Sequence, residues 1–157
     1  MNVFGQVQPK QIIVNEEVSL VKYYPYYKET IKWYQDPELC KQVDNIDYVY
    51  DKEKLSKMYR YLNKNGEVYY IKFKDNGRYK LIGDVSLWNN TMAIVIRKEY
   101  QNKHIGRAVV KTILNRAREI GKKEIIVEIY SFNKQSQKMF LSVGFKKIDE
   151  EHLKIEL

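Results

Sequence analysis

A basic, polar stretch at the start of a predicted helix is the part of this sequence best suited to bind a ligand. It follows the apolar run Met92–Ile96 and precedes Ile105–Ile120, a segment in which apolar residues recur at helical spacing. The first pattern predicts a strand covered on both faces, and the second predicts an amphipathic helix that stops near Gly121. The first amide groups of a helix have no internal partner and lie at the positive end of its dipole, so they attract phosphate.

The first turn of this helix offers space and charge for a phosphate group. Gly106 and Ala108 are small, which lets a ligand approach the backbone closely. Three neighbouring side chains would add hydrogen-bond donors: Lys103, His104 and Arg107. The alternative interpretation is an ordinary strand–helix junction with a solvated basic face, and these residues alone do not decide between the two.

Two segments resemble signatures of the GNAT N-acetyltransferase family. Gln101–Ala108 is similar to the loop that binds the pyrophosphate of acyl-CoA, in which Gln or Arg is followed by two residues, Gly, one residue, and Gly or Ala. Gln101 and Gly106 match that pattern, whereas His104 takes the place of the first glycine. Asn133–Phe145 resembles the second signature, a helix that opens with Asn and ends in Gly-Phe.

The resemblance, which extends from Leu81 to Phe145, implies a fold and an activity. The fold is α/β (α+β), with a mixed, mostly antiparallel central sheet flanked by helices and with splayed central strands that hold acyl-CoA. We expect a single GNAT domain over residues 1–157. The implied activity is direct transfer of acetyl from acetyl-CoA to a primary amine of a small molecule or a protein, without a metal. A shorter match, Trp33 with Asp36-Pro37-Glu38, is similar to the ribosomal-protein-acetyltransferase-like branch.

The resemblance also implies which residues hold the cofactor. Strand residues Ile94, Val95 and Ile96 would present backbone groups to the pantetheine arm and the thioester. Asn133 would bond the pantetheine or cap the last helix, and these two roles are compatible. The loop residues that would bind the pyrophosphate are Gln101, Asn102, Lys103, His104, Ile105, Gly106, Arg107 and Ala108.

Phe140 stands where the family usually has its catalytic acid, a tyrosine seven residues after the asparagine of the last helix. Phenylalanine would still contact the cofactor but has no proton to give, so the thiolate would need water or another group, and Tyr130 is the substitute that we consider. The candidate bases for the amine are Asp84 and Glu128, carboxylates that interrupt apolar strands. For each, the alternative is a strand position that faces solvent. Phe140 and His104 also keep open a non-catalytic CoA-binding module.

The remaining elements must place the cofactor loop and the acceptor. A hairpin within Gln11–Tyr24 leads into helical segments, of which two are capped by Asp36 and Asp51. Antiparallel strands joined by tight turns, one of them at Asn76-Gly77, then lead to the loop. The predicted elements are a helix opened by Pro25, helices over 36–43, 52–63 and 133–143, strands over 67–74, 79–88, 91–97 and 124–130, and a closing strand pair over 145–148 and 152–157.

Composition limits the partners of this chain of 157 residues. The only cysteine, Cys40, excludes an internal disulfide and is expected to act as a small buried hydrophobe, and two histidines give no credible zinc cluster. No apolar run could cross a membrane and no signal peptide is evident, so we expect a cytoplasmic protein. The net charge of +8 is compatible with binding the phosphates of coenzyme A. Positive charge would also suit a nucleic-acid-binding module, which is the less favoured alternative. A homodimer is one option for the oligomeric state.

The N-terminal segment that would form the acceptor pocket is rich in tyrosine. Such side chains could line a groove for a peptide or an amine or stack on bases, but half-buried packing is the more frequent role. The positive charge of the chain disfavours a polycationic acceptor. An acidic groove could reverse this locally, built from Asp44, Asp47, Asp51 and Glu53.

Overall fold

A five-stranded antiparallel sheet forms the first part of the computed structural model, which describes residues 1–157. Asn76 and Gly77 both adopt positive φ in the turn that joins the third and fourth strands, which is the conformation that an Asn-Gly hairpin requires. The predicted strand meander and the predicted first hairpin are confirmed. In order across the sheet, the strands are β1 (Gln11–Ile13), β2 (Val18–Lys22), β3 (Gly66–Asp75), β4 (Arg78–Trp88) and β5 (Thr91–Ile96).

A second sheet of three strands continues beyond β5 but does not pair with it. Its strands, in order, are β6 (Glu124–Glu128), β8 (His152–Glu156) and β7 (Lys146–Lys147), all antiparallel. The amide of Ile126 donates to the carbonyl of Asn90 at 2.8 Å, and no ladder follows this bond. The two sheets therefore separate along β5, and a gap opens between β5 and β6.

Helices cover both faces of the larger sheet, and two of them begin at the caps that the sequence predicted, Asp36 and Asp51. The carboxylate of Asp36 accepts hydrogen bonds from the amides of Glu38 and Leu39, and Asp51 accepts one from Lys54 at 2.7 Å. The helices are α1 (Tyr27–Thr30), α2 (Pro37–Asp44), α3 (Lys52–Asn65), α4 (Ile105–Ile120) and α5 (Lys134–Val143), with short 3-10 turns at Trp33–Gln35 and Lys98–Tyr100. None of them is long and apolar enough to cross a membrane.

Two hydrophobic cores lie on opposite faces of the sheet. One packs α4 and α5 against the face that carries Tyr69 and Ile71, and the other packs the N-terminal helices against the face that carries Val68 and Tyr70. This alternation matches the predicted period of β3. The expected burial of β5 on both faces is wrong in part, because α3 leaves open space over this strand: Met92 and Val95 are buried, whereas Ala93 is exposed.

Two predicted elements are shorter in the structure. The helix expected from Pro25 is reduced to the single turn of α1, because the chain changes to a 3-10 turn at Trp33. The strand expected to reach Tyr130 ends at Glu128, where its ladder with β8 stops at His152.

Candidate active site

A cavity of about 410 Å³, here called the first cavity, occupies the gap at the free edge of β5. The loop after β5, the start of α4, one side of α5 and the end of α2 enclose it. No acidic residue lines it, whereas His104, Arg107 and Lys138 do, so its electrostatic potential is positive. The other lining residues are Leu39, Gln42, Val43, Ile94, Val95, Ile96, Tyr100, Gln101, Asn102, Ile105, Gly106, Asn133, Gln135, Ser136, Met139 and Ser142.

The N-terminus of α4 points unpartnered amides at this cavity. No side chain caps the helix, and the first bond of the turn runs from the amide of Ala108 to the carbonyl of His104 at 3.3 Å. The amides of residues 105–107 donate to no backbone carbonyl. A Cβ atom on Gly106 would lie 3.4 Å from the side chain of Ile96, so the glycine lets the helix pack closely on β5. Free amides at the positive end of a 16-residue helix are able to bind an anion.

The loop before α4 contains two residues in the left-handed conformation, Asn102 with φ 60° and His104 with φ 64°. Glycine adopts this conformation freely, and other residues do so at a cost of roughly 1–2 kcal/mol, with Asn and His among those that tolerate it best. His104 therefore reproduces the backbone that a glycine would provide at this position. The histidine changes the side chain offered to the cavity and leaves the direction of the helix amides intact.

Side-chain contacts hold the loop against its neighbours. The amide nitrogen of Gln101 donates to the carbonyl of Ile96 at 2.8 Å, and Gln135 on α5 donates to the Gln101 side-chain oxygen at 3.4 Å. An ion pair between Lys98 and Glu38 ties the loop to α2. The loop therefore contacts β5, α2 and α5, which are three of the elements that enclose the first cavity.

Asn133 and Phe140, the residues predicted on the last helix, occupy different surroundings. Asn133 lines the first cavity and caps α5, since its side-chain oxygen accepts from the amide of Ser136 at 3.3 Å. Phe140 is buried in the core, where its ring packs edge-on against Phe145 at 5.1 Å between centroids. Of the predicted loop residues, Lys103 and Ala108 do not line the cavity.

A second cavity of about 730 Å³ adjoins the first, and Val43 and Val95 line both. It lies between α3 and the β4–β5 face of the sheet, and its floor contains Asp84. This side chain is only 4% exposed, so the alternative of a solvent-facing strand position is excluded. A buried carboxylate therefore lies in the second cavity, which adjoins the first cavity and its unpartnered helix amides.

Aromatic donors surround the Asp84 carboxylate. Its Oδ2 atom accepts hydrogen bonds from the hydroxyl groups of Tyr59 at 2.7 Å and Tyr34 at 2.8 Å and from the indole nitrogen of Trp33 at 3.3 Å, while Oδ1 accepts none. Burial raises the pKa of Asp84 above its ordinary value, and these hydrogen bonds partly oppose the shift. The pKa values of Tyr34 and Tyr59 are raised well above 10.0, chiefly by burial, so both hydroxyls stay protonated donors.

Comparison with known proteins assigns this arrangement to a family. The model of the acetyltransferase (GNAT) family matches residues 27–145. The chain belongs to the GNAT acetyltransferase family. The match begins at α1 and so includes the N-terminal helices as well as the two signature segments. No curated protein sequence matches the chain.

Solved structures of this GNAT fold superpose on most of the chain. A domain from Methanocaldococcus jannaschii DSM 2661 has a TM-score of 0.79 at 21% identity and covers 90% of this chain and 99% of its own. The microcin C7 self-immunity acetyltransferase MccE, in complex with acetyl-CoA and AMP, has a TM-score of 0.75 at 16% identity, with coverage of 96% and 98%. The spermidine N-acetyltransferase from Vibrio cholerae, in complex with CoA and spermine, has a TM-score of 0.73 at 14% identity, with coverage of 90% and 96%.

The other two catalytic candidates of this GNAT chain lie away from both cavities. Glu128 is exposed at the end of β6, where its carboxylate lies 3.4 Å from the His152 imidazole. Tyr130 stacks on Phe132 at 5.7 Å between ring centroids, and burial raises the pKa of Tyr130 above its ordinary value. Neither residue lines the first or the second cavity.

Some residues of the tyrosine-rich and acidic segments line the second cavity, and others do not. Tyr34, Tyr50 and Tyr61 line the second cavity, and of these Tyr34 and Tyr50 are themselves buried. Tyr59, Tyr69 and Tyr70 are fully buried and line neither cavity. Of the residues of the predicted acidic groove, Asp51 and Glu53 line the second cavity, and Asp44 and Asp47 do not.

Two sets of site residues were not predicted from the sequence. The face of α5 that meets the first cavity carries Gln135, Lys138 and Ser142, and their spacing of three and then four residues was the available signal. The partners of Asp84, by contrast, come from segments 25 to 51 residues away, and no local pattern relates them to β4.

Proposed function

We propose that this chain transfers an acetyl group from acetyl-CoA to a primary amine by direct transfer. The observation that carries the proposal is the contact between the two cavities. An acid-free cavity with unpartnered helix amides adjoins, at Val43 and Val95, a cavity that contains a buried carboxylate. This arrangement suits an anionic acetyl donor on one side and a cationic acceptor on the other.

Three groups in the first cavity would hold acetyl-CoA. The amides at the start of α4, together with Arg107 and Lys138, would bind its phosphates. The free edge of β5 would pair with the amide groups of the pantetheine arm, since backbone groups on an unpaired strand edge seek partners. Neighbours of the same fold that contain acetyl-CoA or CoA support this assignment.

Asp84 is proposed to take the proton of the acceptor amine. An ammonium bound at Asp84 would transfer one proton to the carboxylate, directly or through a water molecule, and the raised pKa of Asp84 brings it closer to that of the amine. The neutral nitrogen would then form a bond to the acetyl carbon as the carbon–sulfur bond breaks, and the nitrogen would lose its second proton to water. Because Phe140 has no proton and Tyr130 lines neither cavity, we propose that water carries this proton to the thiolate.

A CoA-binding protein without catalytic activity is the alternative, and the phenylalanine at position 140 is the observation that favours it. The test is release of free thiol from acetyl-CoA in the presence of a panel of amines, with mass spectrometry of the amine products. An N-acetylated product that forms in proportion to thiol supports transfer. Saturable acetyl-CoA binding without any acetylated product supports the non-catalytic alternative.

A further inference from the structure

The floor of the second cavity has an ordered sequence of side chains that leads away from the first. Cross-strand neighbours on β4 and β5 are Asp84 with Val95, then Ser86 with Ala93, then Trp88 with Thr91. Such neighbours lie about 5 Å apart, and alternate residues share one face. Since Val95 borders both cavities, the carboxylate lies at their junction. Trp88 lies about 14 Å further along β4, at 3.4 Å for each residue.

The space between this floor and α3 has apolar side chains on the helix side. Met58, Tyr61 and Leu62 face the cavity from the helix, and the middle of the floor contains only the small side chains of Ser86 and Ala93. Ala93 is exposed although it lies within a strand, so nothing in the chain fills the space above it. These residues would accommodate a flat apolar group, with Trp88 and Tyr61 at its far end.

The charged side chains of the second cavity leave one carboxylate available to bind an ammonium group. Asp84 Oδ1 accepts no hydrogen bond from the protein and is available to a ligand. The other acids already have partners: Asp51 caps α3, and Glu53 pairs with Lys57 at 3.1 Å. Lys54 and Lys57 line the same cavity and pair with Asp44 at 3.5 Å and with Glu53 at 3.1 Å, so Asp84 is the acid of the cavity that remains available to a cation.

We propose that the acceptor is a monoamine whose single cationic nitrogen is joined by a short linker to a flat apolar or aromatic group, that is, an aralkylamine. This inference rests on the proposed acetyl transfer. The ammonium binds Asp84 at the junction with the first cavity, and the ring lies over Ser86 and Ala93 and points towards Trp88. A polyamine would bring further positive charges for which the cavity has no acid without a partner, and it would leave the apolar space unfilled.

The test compares kcat/KM at saturating acetyl-CoA for phenethylamine, methylamine, spermidine and a lysine-containing peptide. Burial of an aromatic ring favours phenethylamine over methylamine by about tenfold or more. We expect phenethylamine also to exceed spermidine and the peptide. A preference for spermidine or the peptide overturns the substrate class and leaves acetyl transfer standing. Absence of transfer to every amine overturns both.

Substitution of Ala93 tests where the ring lies. Ala93→Leu fills the space between β5 and α3 and should raise KM for phenethylamine about tenfold while KM for methylamine changes little. Lys111→Leu places a leucine at an exposed position of α4, outside both cavities, and is the control. Because Ala93 does not line the first cavity, calorimetric affinity for acetyl-CoA should be unchanged in both variants, which also shows that they fold. Equal loss of both amines in Ala93→Leu would overturn the placement of the ring.

Asp84→Asn tests the ammonium site. The amide keeps an acceptor for the tyrosine hydroxyls but loses the charge, so turnover of phenethylamine should fall at least tenfold while acetyl-CoA affinity is retained. The matched control is Asp47→Asn, which removes the same charge from a side chain that is 95% exposed. Wild-type turnover in Asp84→Asn would contradict the proposed site.

Discussion

His104 is predicted to carry backbone strain that a glycine would relieve. Its φ of 64° lies in the left-handed region, which costs a residue with a Cβ atom roughly 1–2 kcal/mol. Relief of this strain by glycine is offset by about 0.5–1 kcal/mol, because glycine makes the unfolded chain more flexible. His104→Gly should therefore raise the free energy of unfolding by about 0.5–1 kcal/mol, which corresponds to about 1–4 °C in Tm for a chain of this size.

Urea and thermal unfolding of a small series would measure this effect. His104→Asn should match the wild type, because Asn tolerates the left-handed region, and His104→Val should be less stable, because a branched Cβ does not. His104→Gly should also keep acetyl-CoA affinity within a few-fold, since the helix amides keep their direction. A less stable His104→Gly, or a His104→Val as stable as the wild type, would refute the strain argument.

Three further predictions concern two buried carboxylates, Asp84 and Glu67. In the pH profile of kcat/KM, the acidic limb should lie above the ordinary Asp pKa of 3.8, because activity requires unprotonated Asp84, and it should be absent in Asp84→Asn. Stability measured by urea unfolding should lose a contribution as pH rises from 3.8 to the raised folded pKa of Asp84, because the folded state holds that proton more tightly than the unfolded state does. Glu67→Ala should cost about 3 kcal/mol in urea unfolding, because it removes the buried carboxylate that lies 2.8 Å from the Arg116 guanidinium and leaves Glu119, at 3.1 Å on the surface, as the remaining ionic partner. Glu124→Ala, which breaks a partly exposed pair with Lys154, should cost less than about 1 kcal/mol. Equal costs would contradict this reasoning.

Elements fixed by local chemistry could be predicted from the sequence. The caps Asp36 and Asp51, the turn at Asn76-Gly77 and the end of α4 at Gly121 each depend on residues within a few positions. The cofactor loop could be predicted for the same reason, with added support from its resemblance to a known signature.

Features that depend on distant segments could not be predicted. Asp84 could be selected as a carboxylate within an apolar strand, but its burial results from Trp33, Tyr34 and Tyr59, which other parts of the chain bring to it. The exposure of Ala93 follows from the open second cavity between β5 and α3, which the apolar pattern of β5 does not reveal.

Calorimetric titration with acetyl-CoA of the wild type and Gly106→Glu tests the central claim most directly, with desulfo-CoA and ATP as comparison ligands. Gly106 lines the first cavity at the start of α4, so a carboxylate there would repel the phosphates. Asn115→Glu adds the same charge on the exposed face of the same helix and is the control. We predict saturable binding of acetyl-CoA and desulfo-CoA in preference to ATP, retained in Asn115→Glu and weakened at least tenfold in folded Gly106→Glu. Equal affinity in all three proteins, or no binding to the wild type, would contradict the assignment.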